Sequence, residues 1–175
     1  MNIKLLNLFK HKYYWPGFLL LSILLETIAL FYQYVLEFSP CVLCIHVRIW
    51  VLAIFLNSII PLLSYKNRIV LLVSNITMTV FITGLLERSY QLIGVERGFI
   101  DGGCSMDSGL PSWFALDEWF PIIFQVQEPC GYTPELLFGV TMAEALIVLS
   151  SVLLIISITN TVLLIAQSLK SNKYL

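Results

Sequence analysis

Four long apolar runs constrain this chain more than any other feature. They cover about 15–36, 41–63, 69–93 and 138–169. A run of roughly 18 residues or more is long enough to cross a bilayer as a helix. The hydrophobic share is 58% and the charged share 12%, against about a quarter charged in an ordinary soluble domain. That excess is gathered into the runs and does not make a larger globular core. The expected fold is therefore an all-α membrane protein. Its four-helix transmembrane bundle forms one domain, 1–175, with a long outer loop at about 94–137 that carries a short interfacial helix. The net charge of −1 leaves no basic stripe for a nucleic-acid partner.

Lys4, Lys10 and Lys12 precede the first run. That run is too long for a signal core and lacks a small-residue cleavage site, so it is expected to be retained as a span. Tyr13, Tyr14 and Trp15 are placed for an aromatic belt at the headgroups. Ser39 is expected to cap the second helix, with Pro40 as its first residue, and Pro61 to help end it. The fourth run is long for one span, which tilt or projection beyond the bilayer would accommodate. Orientation follows from the basic flanks. Lys4, Lys10 and Lys12, then Lys66 and Arg68, then Lys170 and Lys173 all fall on one side. The first connection has no basic residue and the long third one has only Arg97. Both termini are thus expected in the cytoplasm and both other connections outside. Within the outer loop, 111–124 mixes aromatic and aliphatic residues with a few acids. It is too short to span and is expected to lie in the interface as a short helix stopped near Pro121.

That orientation puts all four cysteines outside. Cys41 and Cys44 open the second span as C-x-x-C. Positions i and i+3 share a helix face. The positive end of a helix also favours thiolate, which suits reversible thiol–disulfide exchange. Burial as two small residues, or half of a zinc site, is the alternative. Cys104 and Cys130 lie in the long loop beside glycine and proline. Alone they read as a structural staple. A redox pair on the same side of the membrane favours a relay instead, with a four-sulfur zinc site disfavoured by an oxidising compartment. Both pairs are expected to be disulfide-bonded at rest, and no metal is expected.

Arg48 follows Cys44 by one helical turn on the same face. An arginine inside a span is costly and usually functional. It could stabilise a thiolate at Cys44 or charge on a reduced ligand, or it could snorkel to the headgroups. His46 points to another face and reads as packing. Glu26 lies midway through the first span with Gln33 two turns later. Glu26 could be protonated, could pair with Arg48 or Arg88, or could only fix the bundle by hydrogen bonds. Glu87 and Arg88 sit near the outer end of the third span, where a local interfacial role is expected. No dinucleotide fingerprint is present, and Ile45 after Cys44 excludes a C-x-x-C-H haem attachment.

These residues resemble the DsbB family of bacterial disulfide-bond-formation membrane proteins over nearly the whole chain. The resemblance is carried by Glu26 and Gln33, by Pro40-Cys41-Val42-Leu43-Cys44 with Arg48, by Cys104 and Cys130, and by Trp113, Leu116-Asp117 and Trp119-Phe120-Pro121. It implies a thiol oxidoreductase of the bacterial inner membrane that reoxidises a periplasmic DsbA-type thiol oxidase. Two electrons would pass to membrane quinone, ubiquinone or menaquinone. By position, Cys104 would form the mixed disulfide with the partner. Cys130 would pair with Cys104 and exchange with Cys41. Cys44 would face the quinone, and Arg48 would stabilise the charged pair. The segment around 113–124 would dip into the bilayer surface. Arg88 and Gln91 depart from the family pattern in the stretch that should line the quinone side.

Three other readings stand beside this one. An oxidase of the vitamin K epoxide reductase type also uses four helices and two cysteine pairs, but with the C-x-x-C after the loop pair. A proton-coupled transporter built on Glu26 would have no need of four outward cysteines. A structural protein stapled by disulfides would be inert to a periplasmic oxidase.

Overall fold

Long stretches of leucine, isoleucine, valine and phenylalanine with few breakers fold into four long helices. The structure is a computed structural model and describes residues 3–64, 67–100, 108–131, 133–137 and 139–172. Helix α1 is Ile3–Tyr34, α2 is Val42–Leu63 and α3 is Arg68–Glu96. A 3-10 turn at Ser112–Phe114 follows, then two one-turn helices, α4 at Leu116–Trp119 and α5 at Pro121–Phe124. Strands β1, Glu135–Leu137, and β2, Val140–Thr141, pair antiparallel just before α6, Met142–Asn172. Tyr13–Tyr34, Val42–Leu63, Arg68–Glu96 and Met142–Ala166 are each long and apolar enough to cross a bilayer. The chain is a multi-pass membrane protein with four candidate spans.

The helix ends are set by side chains that the apolar pattern does not reveal. Cys41, not Ser39, is the N-cap of α2, and Pro40 lies outside the helix. Asn67 caps α3 by accepting from the amides of Ile69 at 3.0 Å and Val70 at 3.5 Å. The fourth run was expected to turn helical from 138, but α6 starts at Met142. A capping box explains the later start. The Glu144 amide donates to Thr141 Oγ1 at 3.3 Å, and Glu144 Oε2 accepts from the Thr141 amide at 3.1 Å. Gly139, at φ 78°, turns the hairpin just upstream, in backbone space that favours glycine. Pro61 does not end α2, which runs on to Leu63.

Each long helix packs on the next: α1 on α2, α2 on α3, α3 on α6. One buried cluster joins all four through Trp15 and Phe18, Val47, Val51 and Ile54, Met78, Ile82 and Leu85, and Leu153. Trp15 is 2% exposed and belongs to this core, not to an aromatic belt. Its neighbour Tyr13 stays exposed, and the Tyr14 hydroxyl reaches Ser157 Oγ at 3.5 Å. Gly84 lets α2 and α3 close up, since a Cβ there would lie 2.6 Å from the Trp50 ring. Polar bonds reinforce the half nearer the basic flanks. Asn160 Nδ2 donates to Asn75 Oδ1 at 2.7 Å, and Thr79 and Ser157 share a bond of 2.8 Å. Such bonds between membrane helices contribute about 0.6–1.7 kcal/mol each.

The short helix expected in the interfacial segment is α4, which ends at Trp119 just before Pro121, with the 3-10 turn ahead of it and α5 after it. Pro121 also opens α5, since a first-turn position has no amide bond to lose. Leu116 and Phe124 are buried against Ile45 of α2. Trp113 is 76% exposed, and Trp119, Phe120 and Ile122 also face outward. An apolar face of this kind suits a membrane interface.

Candidate functional site

The site is built at the start of α2. Cys41 is extended, at φ −85° and ψ 169°, and its Sγ accepts from the Cys44 amide at 3.3 Å. A sulfur thus does the capping work usually left to a serine or aspartate oxygen. The Cys44 thiol, first, and the amides of Cys44 and Leu43 hold the Cys41 thiol below its usual range, against burial that raises it. The two sulfurs lie 2.6 Å apart and both thiols are free. A disulfide needs about 2.05 Å. The two sulfurs thus face each other closely enough for a disulfide to form or open without moving the backbone.

The outer segment 125–130 is laid along this helix start. The amides of Gln127 and Glu128 both donate to the Pro40 carbonyl, at 3.0 Å and 3.4 Å. Cys41 and Glu128 form a single parallel bridge. That register brings Cys130, like Cys44, to the margin of the buried cluster of Cys41, Leu43, Leu92 and Ala143. Cys130 is disulfide-bonded. Cys104 lies outside the described residues. Sequence spacing gave no sign of the Pro40–Glu128 pairing, because isolated backbone bridges leave no side-chain pattern.

Arg48 is buried, and its guanidinium is held entirely by neutral acceptors. Nη1 donates to Gln33 Oε1 at 2.6 Å and to the Ile123 carbonyl at 2.8 Å, and Nη2 to the Ala29 carbonyl at 3.1 Å. It is not a snorkelling anchor. Three elements, α1, α2 and α5, converge on one planar cation. Glu26 makes no ion pair with it among the described residues. Arg88 is engaged instead by Glu87 at 3.2 Å and Gln91 at 2.9 Å.

Cys44 and Arg48 line a cavity of about 160 Å³ between α1, α2, α6 and the β1 segment. Its walls include Leu25, Glu26 and Tyr32 of α1 and Met142, Leu146 and Leu149 of α6. Helix α3 contributes only Leu92, so Arg88 and Gln91 do not reach it. A dry apolar cavity of about 150 Å³ takes a single benzene ring. The space fits one six-membered ring, with a thiol and a cation at its polar edge. The α6 wall could not be read from sequence, since its aliphatic residues match those of any span.

His46 is more than packing. Its Nε2 meets the Ser108 carbonyl at 2.8 Å, and a carbonyl can only accept, so Nε2 carries the hydrogen. Ser108 Oγ in turn donates to Asp117 Oδ2 at 2.6 Å. This chain fastens the outer loop to α2 two residues from Cys44.

Comparison with known proteins agrees along the chain. A family model described as disulfide bond formation protein DsbB matches residues 11–160. Disulfide bond formation protein B 2 of Pseudomonas aeruginosa is 31% identical over 141 residues, 79% of this chain and 83% of the relative. Disulfide bond formation protein B of Shewanella sp. MR-4 is 32% identical over 154 residues, 87% and 88% of the two chains. The Haemophilus influenzae protein of that name is 32% identical over 175 residues, 98% and 96% of the two.

Proposed function

The chain belongs to the DsbB family of disulfide bond formation proteins, and from that premise we propose how its own residues divide the family's work. That work is to reoxidise DsbA and pass the electrons to quinone. The single observation that carries the assignment is the meeting of Cys41, Cys44, Cys130 and Arg48 at the start of α2, beside a ring-sized cavity. The whole chain acts as one four-span unit of the bacterial inner membrane. Its termini are cytoplasmic and its cysteines periplasmic, on the strength of the basic flanks.

In this reading Cys104 and Cys130 form the disulfide that meets reduced DsbA. It is supported by the bonded state of Cys130 and by its place beside the Cys41 cluster. Exchange oxidises the DsbA dithiol and leaves Cys104 and Cys130 reduced. Cys130, at the margin of the cluster that holds Cys41, then attacks the Cys41 sulfur of an oxidised Cys41–Cys44 pair and releases Cys44. Cys104 attacks Cys130 and expels Cys41. The lowered Cys41 thiol favours that last step, since a lower-pKa thiol leaves faster. Two electrons now reside in the Cys41–Cys44 dithiol. A quinone, ubiquinone or menaquinone, supplies a two-electron, two-proton sink when bound. Cys44 and Arg48 would hold its ring in the cavity, and the aliphatic walls of α1 and α6 exclude water. Arg48, with no carboxylate on it, offers its charge to whatever anion forms beside Cys44.

The test is to mix reduced DsbA with the purified protein and a soluble quinone. Quinone absorbance should fall only when all three are present. No fall with all three would refute the function. Orientation has its own check. In intact cells, after reduction, a membrane-impermeant thiol reagent should modify Cys104. Reaction only after the cytoplasm is opened would reverse the topology.

A further inference from the structure

Glu26 is the cavity residue that the electron path leaves without a task. Its carboxyl lines the same cavity as Cys44 and Arg48. Its Oε1 is buried and finds no hydrogen-bond partner among the described residues. Arg48 directs three of its five N–H donors to Gln33, Ala29 and Ile123, and no ion pair joins it to Glu26 among the described residues. A carboxylate left unpaired in an apolar wall is costly, and a carboxylic acid there is not. A lone carboxyl in a span faces a cavity or a partner when it has work to do. Here it faces the cavity.

We propose that Glu26 is a catalytic proton donor, delivering a proton across the cavity to a quinone oxygen as Cys41 and Cys44 are oxidised. This rests on reading the cavity as the quinone site. The balance is simple. The Cys41–Cys44 dithiol loses two electrons and two protons as its S–S bond forms. The quinone gains two of each and becomes quinol. The Cys41 thiol proton leaves at the cysteine end of α2, where Cys41 sits at the helix start outside the span, and the Cys44 thiol proton passes to the second quinone oxygen. Glu26 gives its proton from within the cavity and is reprotonated from water at that same end. Division of labour follows from position. Arg48 is a fixed charge that cannot release a proton, so it can hold an anion but cannot finish the reduction. Glu26 shares the cavity and can do what Arg48 cannot. The groups facing it are few. Helix α2 presents Arg48 and Cys44, and α1 itself presents Tyr32. The cavity walls from α3, α6 and the β1 segment present no titratable side chain.

The experiment compares wild type, Glu26→Gln and Glu26→Asp in the full-length protein. Glu26→Gln keeps shape and hydrogen-bonding atoms but carries no acidic proton. Infrared difference spectra on adding quinone to the oxidised protein, with no turnover, should show a shift in a carboxylic C=O band that is missing in Glu26→Gln. Quinone should still shield Cys44 of the reduced variant from alkylation. Single-turnover quinone reduction by the pre-reduced pair should slow by about 100-fold in Glu26→Gln and lose its pH dependence. Glu26→Asp should recover part of both. Disulfide exchange with DsbA should stay within about twofold, which also reports that the variant is folded. A wild-type rate and pH profile in Glu26→Gln would overturn the proposal. If quinone neither shields Cys44 nor perturbs the carboxyl band in wild type, the cavity reading fails and the role of Glu26 fails with it, a result distinct from the first.

Discussion

Replacing Arg48 by methionine is expected to slow quinone reduction by about 100-fold, the usual cost of removing one preorganised charge-stabilising donor. Disulfide exchange with DsbA should change much less. The reason is the set of partners around the guanidinium. Gln33, Ala29 and Ile123 supply only neutral oxygens, so the positive charge stays available to an anion in the cavity. In surroundings where water cannot screen it, that charge acts strongly at short range. Lysine should restore only part of the rate. It keeps the charge but loses the planar fork that binds a side-chain amide and two carbonyls at once. Both variants should also loosen α5, whose Ile123 carbonyl rests on the arginine. The Tyr34 hydroxyl, which donates to the Ile122 carbonyl, should limit that loss. Steady-state rates across a quinone titration decide the matter. An unchanged maximal rate and unchanged apparent quinone affinity in Arg48→Met would place the quinone elsewhere.

Cys104→Ser is expected to bring oxidation of DsbA down to the uncatalysed background while the Cys41–Cys44 pair still reduces quinone once it is chemically reduced. The two halves of the relay are physically separate. Cys44 lines the cavity, whereas Cys130 comes from the outer segment to the margin of the cluster that holds Cys41, so losing the outer acceptor leaves the inner donor intact. Stopped-flow fluorescence of DsbA and single-turnover quinone reduction measure the two halves in the same preparation. A normal DsbA oxidation rate in this variant would show that electrons reach Cys41 without the loop pair.

The four spans were legible because a bilayer demands long apolar runs and few residues can disguise one. Their ends were less so. Pro40 and Ser39 look like a helix start, yet the cap is Cys41, a residue whose capping role leaves no compositional trace. The apolar run continues α6 upstream in sequence, but Gly139 turns the chain and the Thr141–Glu144 capping box starts the helix only at Met142. Trp15 was misplaced because a belt and a core use the same residue type, and only packing against Leu153 and its neighbours separates them. At the site, Cys41, Cys44 and Arg48 could be grouped by helical spacing on one element. Their link to Gln33, Ile123 and Cys130 joins residues far apart in sequence through backbone carbonyls and a single bridge. No local period encodes such links. His46 shows the same limit, since its partner is the carbonyl of Ser108.

Helices α1 and α6 are joined near the basic flanks through Tyr14 and Ser157, and toward the cysteine end both line the cavity. A site at such a seam is supplied sideways, by diffusion in two dimensions. What sets its occupancy is the number of acceptor molecules per lipid, not per litre of water. Added lipid dilutes the acceptor even when the amounts of enzyme and acceptor are fixed. With quinone in the cavity as proposed, a cell that changes the richness of its quinone pool would set the pace of disulfide formation without altering this protein at all.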